Sequence, residues 1–60
     1  MIQFRVRYMS EPHIPHVYCR VFVATDGGTY ASLGSLILRS AEFEAFKAAF
    51  RAEFIEEGIE

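Results

Sequence analysis

Three side chains with metal-binding chemistry, His13, His16 and Cys19, follow one another at intervals of three residues in this 60-residue chain. Imidazole nitrogens and thiolates are the usual ligands of zinc in proteins. In a single strand, however, residues of opposite parity such as His16 and Cys19 point to opposite faces of the sheet. Cys19 instead shares its parity with Val17 and Val21, which is typical of a small buried apolar residue. We therefore expect no metal site and no cofactor.

The remaining polar residues do not form a catalytic arrangement. A nucleophilic serine or cysteine needs a neighbouring base, and the sequence contains no nucleophile-elbow motif. Most carboxylates fall in residues 40–60, where they would line the surface of a helix rather than a cleft suited to acid–base chemistry. The segment Asp26, Gly27 and Gly28 is too short for a phosphate-binding loop and is not followed by a lysine. We therefore predict that the protein is not an enzyme.

Length and composition predict one small folded domain over residues 1–60. Apolar residues make up 52% of the chain and charged residues 23%, which is too apolar for a disordered segment. The longest strictly apolar run, Val21 to Ala24, is far shorter than the roughly 20 residues that span a membrane. One cysteine excludes an intramolecular disulfide framework, and no basic segment followed by an apolar one indicates a secretory signal. We expect a cytoplasmic protein without membrane contact.

Hydrophobic patterning predicts three strands, the elements that would position these side chains. Residues 2–8, 16–25 and 29–38 are rich in β-branched and aromatic residues, and the first two of these segments alternate in parity. Residues 9–15 contain both prolines and are predicted to form a loop. Asp26, Gly27 and Gly28 provide the positive φ angles of a hairpin turn. The segments predict a three-stranded antiparallel sheet.

The C-terminal part of the chain has the pattern of one amphipathic helix. Ser40 is predicted as its N-cap and Gly58 as its C-terminal end. Four phenylalanines follow at spacings of three, four and four residues, which places them on one stripe that would pack against the sheet: Phe43, Phe46, Phe50 and Phe54. The predicted fold is therefore α+β with the order β-β-β-α and one face of the sheet covered.

The length of the hairpin loop decides which residues of the third strand lie on the uncovered face. A loop of two residues places there Leu33 and Ile37. A loop of three residues shifts the parity by one and places there Tyr30, Leu36 and Leu38. A bulge at Gly34 would combine the two patterns.

The uncovered face is the candidate binding surface. Strand one contributes arginines to it and strand two aromatic side chains, and both types are enriched at the centres of protein interfaces. One helix cannot cover both faces of a sheet, so an apolar patch stays in contact with water. The alternative is that arginine stems lie over the aromatic rings and shield them. The predicted partner-binding residues are Arg5, Arg7, Tyr18, Arg20, Phe22 and Tyr30.

The first function hypothesis is a small protein-binding module or inhibitor that acts by steric occlusion of a larger protein partner. We expect it to form a homodimer, because a domain of about 60 residues buries only about 60% of its unfolded surface and commonly needs an oligomeric partner. The chain begins with methionine and forms one domain, so we expect a whole short reading frame. Accessory proteins of phages and mobile elements have this character; no motif supports that analogy.

The second hypothesis is nucleic-acid binding through the uncovered face. Residues 1–39 have a balance of +2 and residues 40–60 a balance of −4. A three-stranded sheet backed by a helix resembles in topology some plant transcription-factor domains and recombinase arm-binding domains, which lay the sheet in the major groove. The residues that would then read DNA are Arg5, Arg7, Arg20, Tyr18 and Phe22. The net charge of −2 disfavours this hypothesis, because DNA affinity depends largely on neutralising phosphates.

Overall fold

A computed structural model of the chain describes residues 1–57 and contains one mixed sheet with one helix. The elements are β1 (Gln3–Ser10), β2 (His16–Ala24), β3 (Ala31–Arg39), α1 (Ser40–Ala49) and β4 (Glu53–Glu56). The strand order is β3-β2-β1-β4, with β1–β2 and β2–β3 antiparallel and β1–β4 parallel. The predicted α+β class is confirmed. The predicted three-stranded antiparallel sheet is wrong in detail, because a fourth, parallel strand completes it.

The helix is shorter than the phenylalanine stripe predicts. It ends at Ala49, and Phe50 follows with an extended backbone while its N–H donates to the Phe46 carbonyl at 2.8 Å. Phe54, predicted on the helix, lies in β4 instead. Pairing with β1 gives β4 a hydrogen-bonded ladder and keeps Phe54 against the core, so tertiary contacts override the helical propensity of the segment. Gly58, the predicted helix end, lies outside the described residues.

The start of the helix is anchored by the proline-containing loop. Arg39 rather than Ser40 is the N-cap residue, one position earlier than predicted. The Glu42 carboxylate accepts a hydrogen bond from the Arg39 backbone N–H at 2.9 Å, which satisfies one donor at the helix start. The backbone N–H of Ser40 donates to the Pro15 carbonyl at 3.2 Å. The loop between β1 and β2 therefore fixes where α1 begins.

A bulge in β3 combines the two predicted registers. Val21 lies opposite Gly34, whereas Phe22 lies opposite Ser32, so Leu33 is the extra residue. The φ angle of Gly34 is +145°, a region that side chains disfavour. Between the turn and the bulge, β3 pairs with β2 in the register predicted for a three-residue loop. Beyond the bulge, it pairs in the register predicted for a two-residue loop. Tyr30 and Ile37 consequently lie on one face, while Leu36 and Leu38 pack against the core.

The core lies between α1 and one face of the sheet, which we call the helix face. The predicted packing of the phenylalanine stripe on the sheet holds for Phe43, which is buried with its ring 4.7 Å from that of Tyr8, and for Phe50, which lies just past the helix with its ring 5.0 Å from that of Phe4. It does not hold for Phe54, which belongs to the sheet itself. Cys19 is fully buried, as its parity predicts. Among residues 1–57, the buried set consists of Val6, Val17, Cys19, Val21, Ala24 and Phe43.

Candidate protein-binding surface

The opposite face of the sheet, the open face, carries a row of exposed apolar side chains at one end. Met9 of β1 lies opposite Tyr18 of β2, which in turn lies opposite Ile37 of β3. Directly opposed residues share a face and their side chains touch. These three residues, the apolar row, are 36%, 42% and 65% exposed. Ile14 from the loop adds to the same groove and is also exposed.

Arginines occupy the middle of the open face and are paired with carboxylates that follow the helix. Nε and Nη2 of Arg5 both lie 3.0 Å from Oε1 of Glu53. Glu57 lies between the other two arginines, with its Oε2 at 3.1 Å from Arg7 Nε and 3.6 Å from Arg20 Nη2. Each partly exposed pair contributes about 0–1 kcal/mol to stability. Together they balance most of the positive charge of these three arginines, the arginine cluster.

Two aromatic rings lie beneath the arginine cluster. The Arg5 guanidinium carbon is 4.1 Å from the centroid of the Tyr30 ring, and that of Arg20 is 5.8 Å from the Phe22 ring. The Tyr30 hydroxyl also lies 3.5 Å from the Gln3 side-chain oxygen. Both rings are half-buried. Arginine head groups, rather than the stems that the alternative interpretation of the sequence predicts, therefore lie over Tyr30 and Phe22.

The structure places all six predicted partner-binding residues on the open face but divides them into two groups. Tyr18 belongs to the exposed apolar row. The other five lie in or under the arginine cluster, where they contact one another or a carboxylate: Arg5, Arg7, Arg20, Phe22 and Tyr30. Tyr18 is therefore the predicted residue that stays most available for a partner.

The sequence reasoning missed residues in both groups. Met9, predicted in the loop, lies in β1, which continues to Ser10. Glu53 and Glu57, predicted on an acidic helix and tail, lie beside the sheet arginines. The predicted separation of a basic sheet from an acidic C-terminal segment is therefore wrong for the open face. No alternation of apolar and polar residues marks β4, because its two apolar residues, Phe54 and Ile55, are adjacent.

The cysteine of the chain is buried, whereas its two histidines lie at the surface. Burial raises the pKa of the Cys19 thiol, which favours the unreactive protonated form. His13 and His16 are exposed. Residues 1–57 contain no group of three or more His, Cys, Asp or Glu side chains placed to hold a metal ion. Within the same residues no helix has the length and apolar character to cross a membrane.

Comparison of the chain with protein-family models, curated proteins and solved structures finds no match. Function must therefore be inferred from the surfaces of the molecule itself.

Proposed function

We propose that the protein is a small non-enzymatic protein-binding module whose contact surface is the apolar row of the open face. The observation that supports this proposal is the exposure of Met9, Tyr18 and Ile37 side by side on three strands. Contiguous apolar side chains on a small protein mark interaction sites, because covering them removes apolar area from water. An aromatic residue between two aliphatic ones is also the composition favoured at interface centres.

The small size of the core supports the same proposal. Among residues 1–57, the largest completely buried side chains are Val6 and Cys19. The Cα atoms span 38 × 27 × 15 Å, a flat shape with little interior. Domains of this size are commonly completed by an oligomeric or heterologous partner. Binding of a partner over the apolar row would therefore also stabilise the fold.

The mode of action in this proposal is steric. The apolar row lies on the strands of a hydrogen-bonded sheet, so little side-chain or loop ordering opposes binding. The ion pairs of the neighbouring arginine cluster form a polar rim beside the row, as in most interfaces. The protein would inhibit its partner if the surface that it covers is one that the partner uses for its own activity or binding.

The test compares two exposed positions on the sheet, Tyr18 and Leu33, of which only Tyr18 belongs to the apolar row. Proteins that co-purify with the tagged chain are identified by mass spectrometry, and each is then purified and titrated against the variants by calorimetry. We expect Tyr18→Glu to weaken binding at least about tenfold and Leu33→Glu to leave it within about twofold. Equal weakening by both variants, or no direct binding by any purified candidate, would contradict the proposal.

A further inference from the structure

The two edges of the sheet differ in how they are protected against pairing with another strand. The β4 edge is four residues long, from Glu53 to Glu56, and carries an acidic residue at each end. The β3 edge is nine residues long, from Ala31 to Arg39, and its single charged residue is Arg39 at its end. Short length and charge are the usual devices that protect edges. In the described part of the chain, β3 lacks both of these devices, and its bulge interrupts the edge only at Leu33 and Gly34.

The regular part of that edge is the segment after the bulge. Leu33 and Gly34 interrupt the ladder, and residues 35–39 then pair regularly with β2. The middle residue of this segment is Ile37, which has the largest exposed fraction in the apolar row, 65%. On the helix face, Leu36 and Leu38 pack against the core but remain half-buried at its margin.

Leu36 and Leu38 stay half-buried although α1 begins directly after β3, because the phenylalanine rings of the helix reach towards β1 and β4. The rings of Phe43 and Phe46 in α1 contact the ring of Phe54 in β4, and Phe43 also contacts Tyr8 in β1. The β3 side thus combines an exposed Ile37 on the open face and half-buried Leu36 and Leu38 on the helix face with backbone groups that lack a neighbouring strand among residues 1–57. An added strand would satisfy those backbone groups and cover the apolar side chains.

We propose that β3 pairs with β3 of a second copy of this chain, antiparallel about a twofold axis at Ile37. This pairing brings Ile37 against Ile37 and Leu36 against Leu38 of the second copy. Arg39 then faces Ser35 of the second copy, so no like charges are opposed. The pairing joins the apolar rows of the two copies into one continuous row. In this respect it rests on the proposed function, in which the apolar row is the contact surface.

A cysteine placed at Ile37 tests this register directly. Residues on the axis of an antiparallel pair have Cα atoms about 4.5–5.5 Å apart, which lies within the range of disulfides. Leu33 is the matched control, because it lies on the same strand and is 60% exposed but pairs with nothing in this register. The native Cys19 is buried and contributes no background reaction. Oxidised glutathione is the oxidant.

We expect Ile37→Cys to form a covalent dimer at least about ten times faster than Leu33→Cys. Sedimentation equilibrium of the unmodified chain should give twice the 6.9 kDa monomer mass, and Met9→Lys should remain dimeric, because Met9 lies two strands from the edge. A monomeric unmodified chain at about 100 μM, equal cross-linking of both cysteines, or a monomeric Met9→Lys would overturn edge pairing. A monomer that still binds a purified partner through Tyr18 would overturn the pairing alone and leave the proposed function intact.

Discussion

The arginine cluster and the apolar row lie next to each other on β1 and β2, yet the side chains of the first are paired within the chain and those of the second are exposed. The arginine cluster finds its counter-charges within the chain, because β4 brings Glu53 and Glu57 beside β1. Among residues 1–57 the apolar row has no such cover, since the ladder between β1 and β4 ends at Tyr8 and Glu56, one residue before Met9. The position of one short strand therefore decides which part of the open face is supplied with counter-charges by the described residues and which part stays exposed.

This difference shows why residue type alone does not identify an interface. Arginine and aromatic residues are favoured at binding surfaces in general, and both ends of the open face contain such residues. At the arginine end, however, a partner would have to compete with ion pairs that already exist. At the apolar end, a partner displaces only water, and each Å² of apolar surface covered is worth roughly 25 cal/mol.

The largest expected effect separates the open face from the helix face. Phe43 is 4% exposed and Tyr18 is 42% exposed. We expect Phe43→Ala to lower the free energy of unfolding by about 3–5 kcal/mol, because truncation of a buried phenylalanine leaves a cavity. Tyr18→Ala should cost less than about 1 kcal/mol, measured by urea denaturation at concentrations where the chain is monomeric. A cost at Tyr18 similar to that at Phe43 would mean that the apolar row belongs to the core.

The next largest effect concerns the bulge that places Ile37 in the apolar row. Gly34 has a φ of +145° and an added Cβ would meet no atom within 4 Å, so backbone strain is the sole obstacle to a side chain. We expect Gly34→Ala to cost about 1–3 kcal/mol. Gly28→Ala is the control, because Gly28 lacks a positive φ and its added Cβ would make an ordinary 3.9 Å contact with Asp26. Equal stability of the two variants would show that the bulge tolerates a side chain.

The sequence was sufficient to predict most of the sheet and the start of the helix. Alternation located β1 and β2, and the prolines and glycines located both hairpin loops. The bulge stayed undecided because both loop lengths suit Gly27 and Gly28, and packing of the strand beyond the turn selects between them. A bulge at Gly34 is one of the alternatives predicted from the sequence, and it is this alternative that places Tyr30 and Ile37 on the same face.

The fourth strand could not be predicted because Phe54 fits two patterns. Its spacing of four residues from Phe50 continues a helical stripe, whereas its place in β4 gives it the same core contacts through a strand. Only the partner strand β1 distinguishes the two, and that information is not local. Prediction of a helix through Phe54 places Glu53 and Glu57 on the helix surface, whereas they lie beside the arginines of the open face. The predicted charge of the open face is therefore too positive.

A smaller effect tests whether the arginine cluster is complete within the chain. Glu57→Gln removes the carboxylate that Arg7 and Arg20 share. We expect a loss of less than about 1 kcal/mol in 20 mM salt that largely disappears in 1 M salt, because exposed ion pairs are screened. Glu44→Gln should cost less still, since Glu44 has one contact, with Lys47 at 3.6 Å on the same helix. Salt-independent losses would argue against an electrostatic role.

Titration with duplex DNA provides a second test of the same cluster. With its arginines paired, the unmodified chain should bind DNA more weakly than the double variant Glu53→Gln/Glu57→Gln, and binding by both should fall steeply with salt. Fluorescence anisotropy at low salt measures the comparison. Micromolar binding by the unmodified chain that the double variant does not improve would favour the nucleic-acid hypothesis over the protein-binding one.

The smallest effect concerns a carboxylate that is held by backbone groups instead of arginines. Oδ1 of Asp26 accepts hydrogen bonds from the N–H groups of Gly28 and Thr29 at 3.0 and 3.1 Å, and they hold the pKa of Asp26 below its usual value. A pKa lower in the folded than in the unfolded state stabilises the fold above the unfolded value of about 3.9, and this stabilisation is lost as the pH falls through the folded value. Asp26→Asn should therefore be less stable than the unmodified chain at pH 7, and the difference should shrink below about pH 4.

Urea denaturation between pH 7 and pH 2 measures the difference in stability between Asp26→Asn and the unmodified chain. The same measurement in 1 M salt compares the salt dependence of this difference with that of Glu57→Gln. Since the partners of Asp26 are neutral backbone dipoles in direct contact, its contribution should persist in salt that removes the effect of Glu57→Gln. A difference between Asp26→Asn and the unmodified chain that stays constant down to pH 2 would show that the side-chain amide replaces the carboxylate imperfectly for geometric reasons. The charge of Asp26 would then play no part in stabilising the turn.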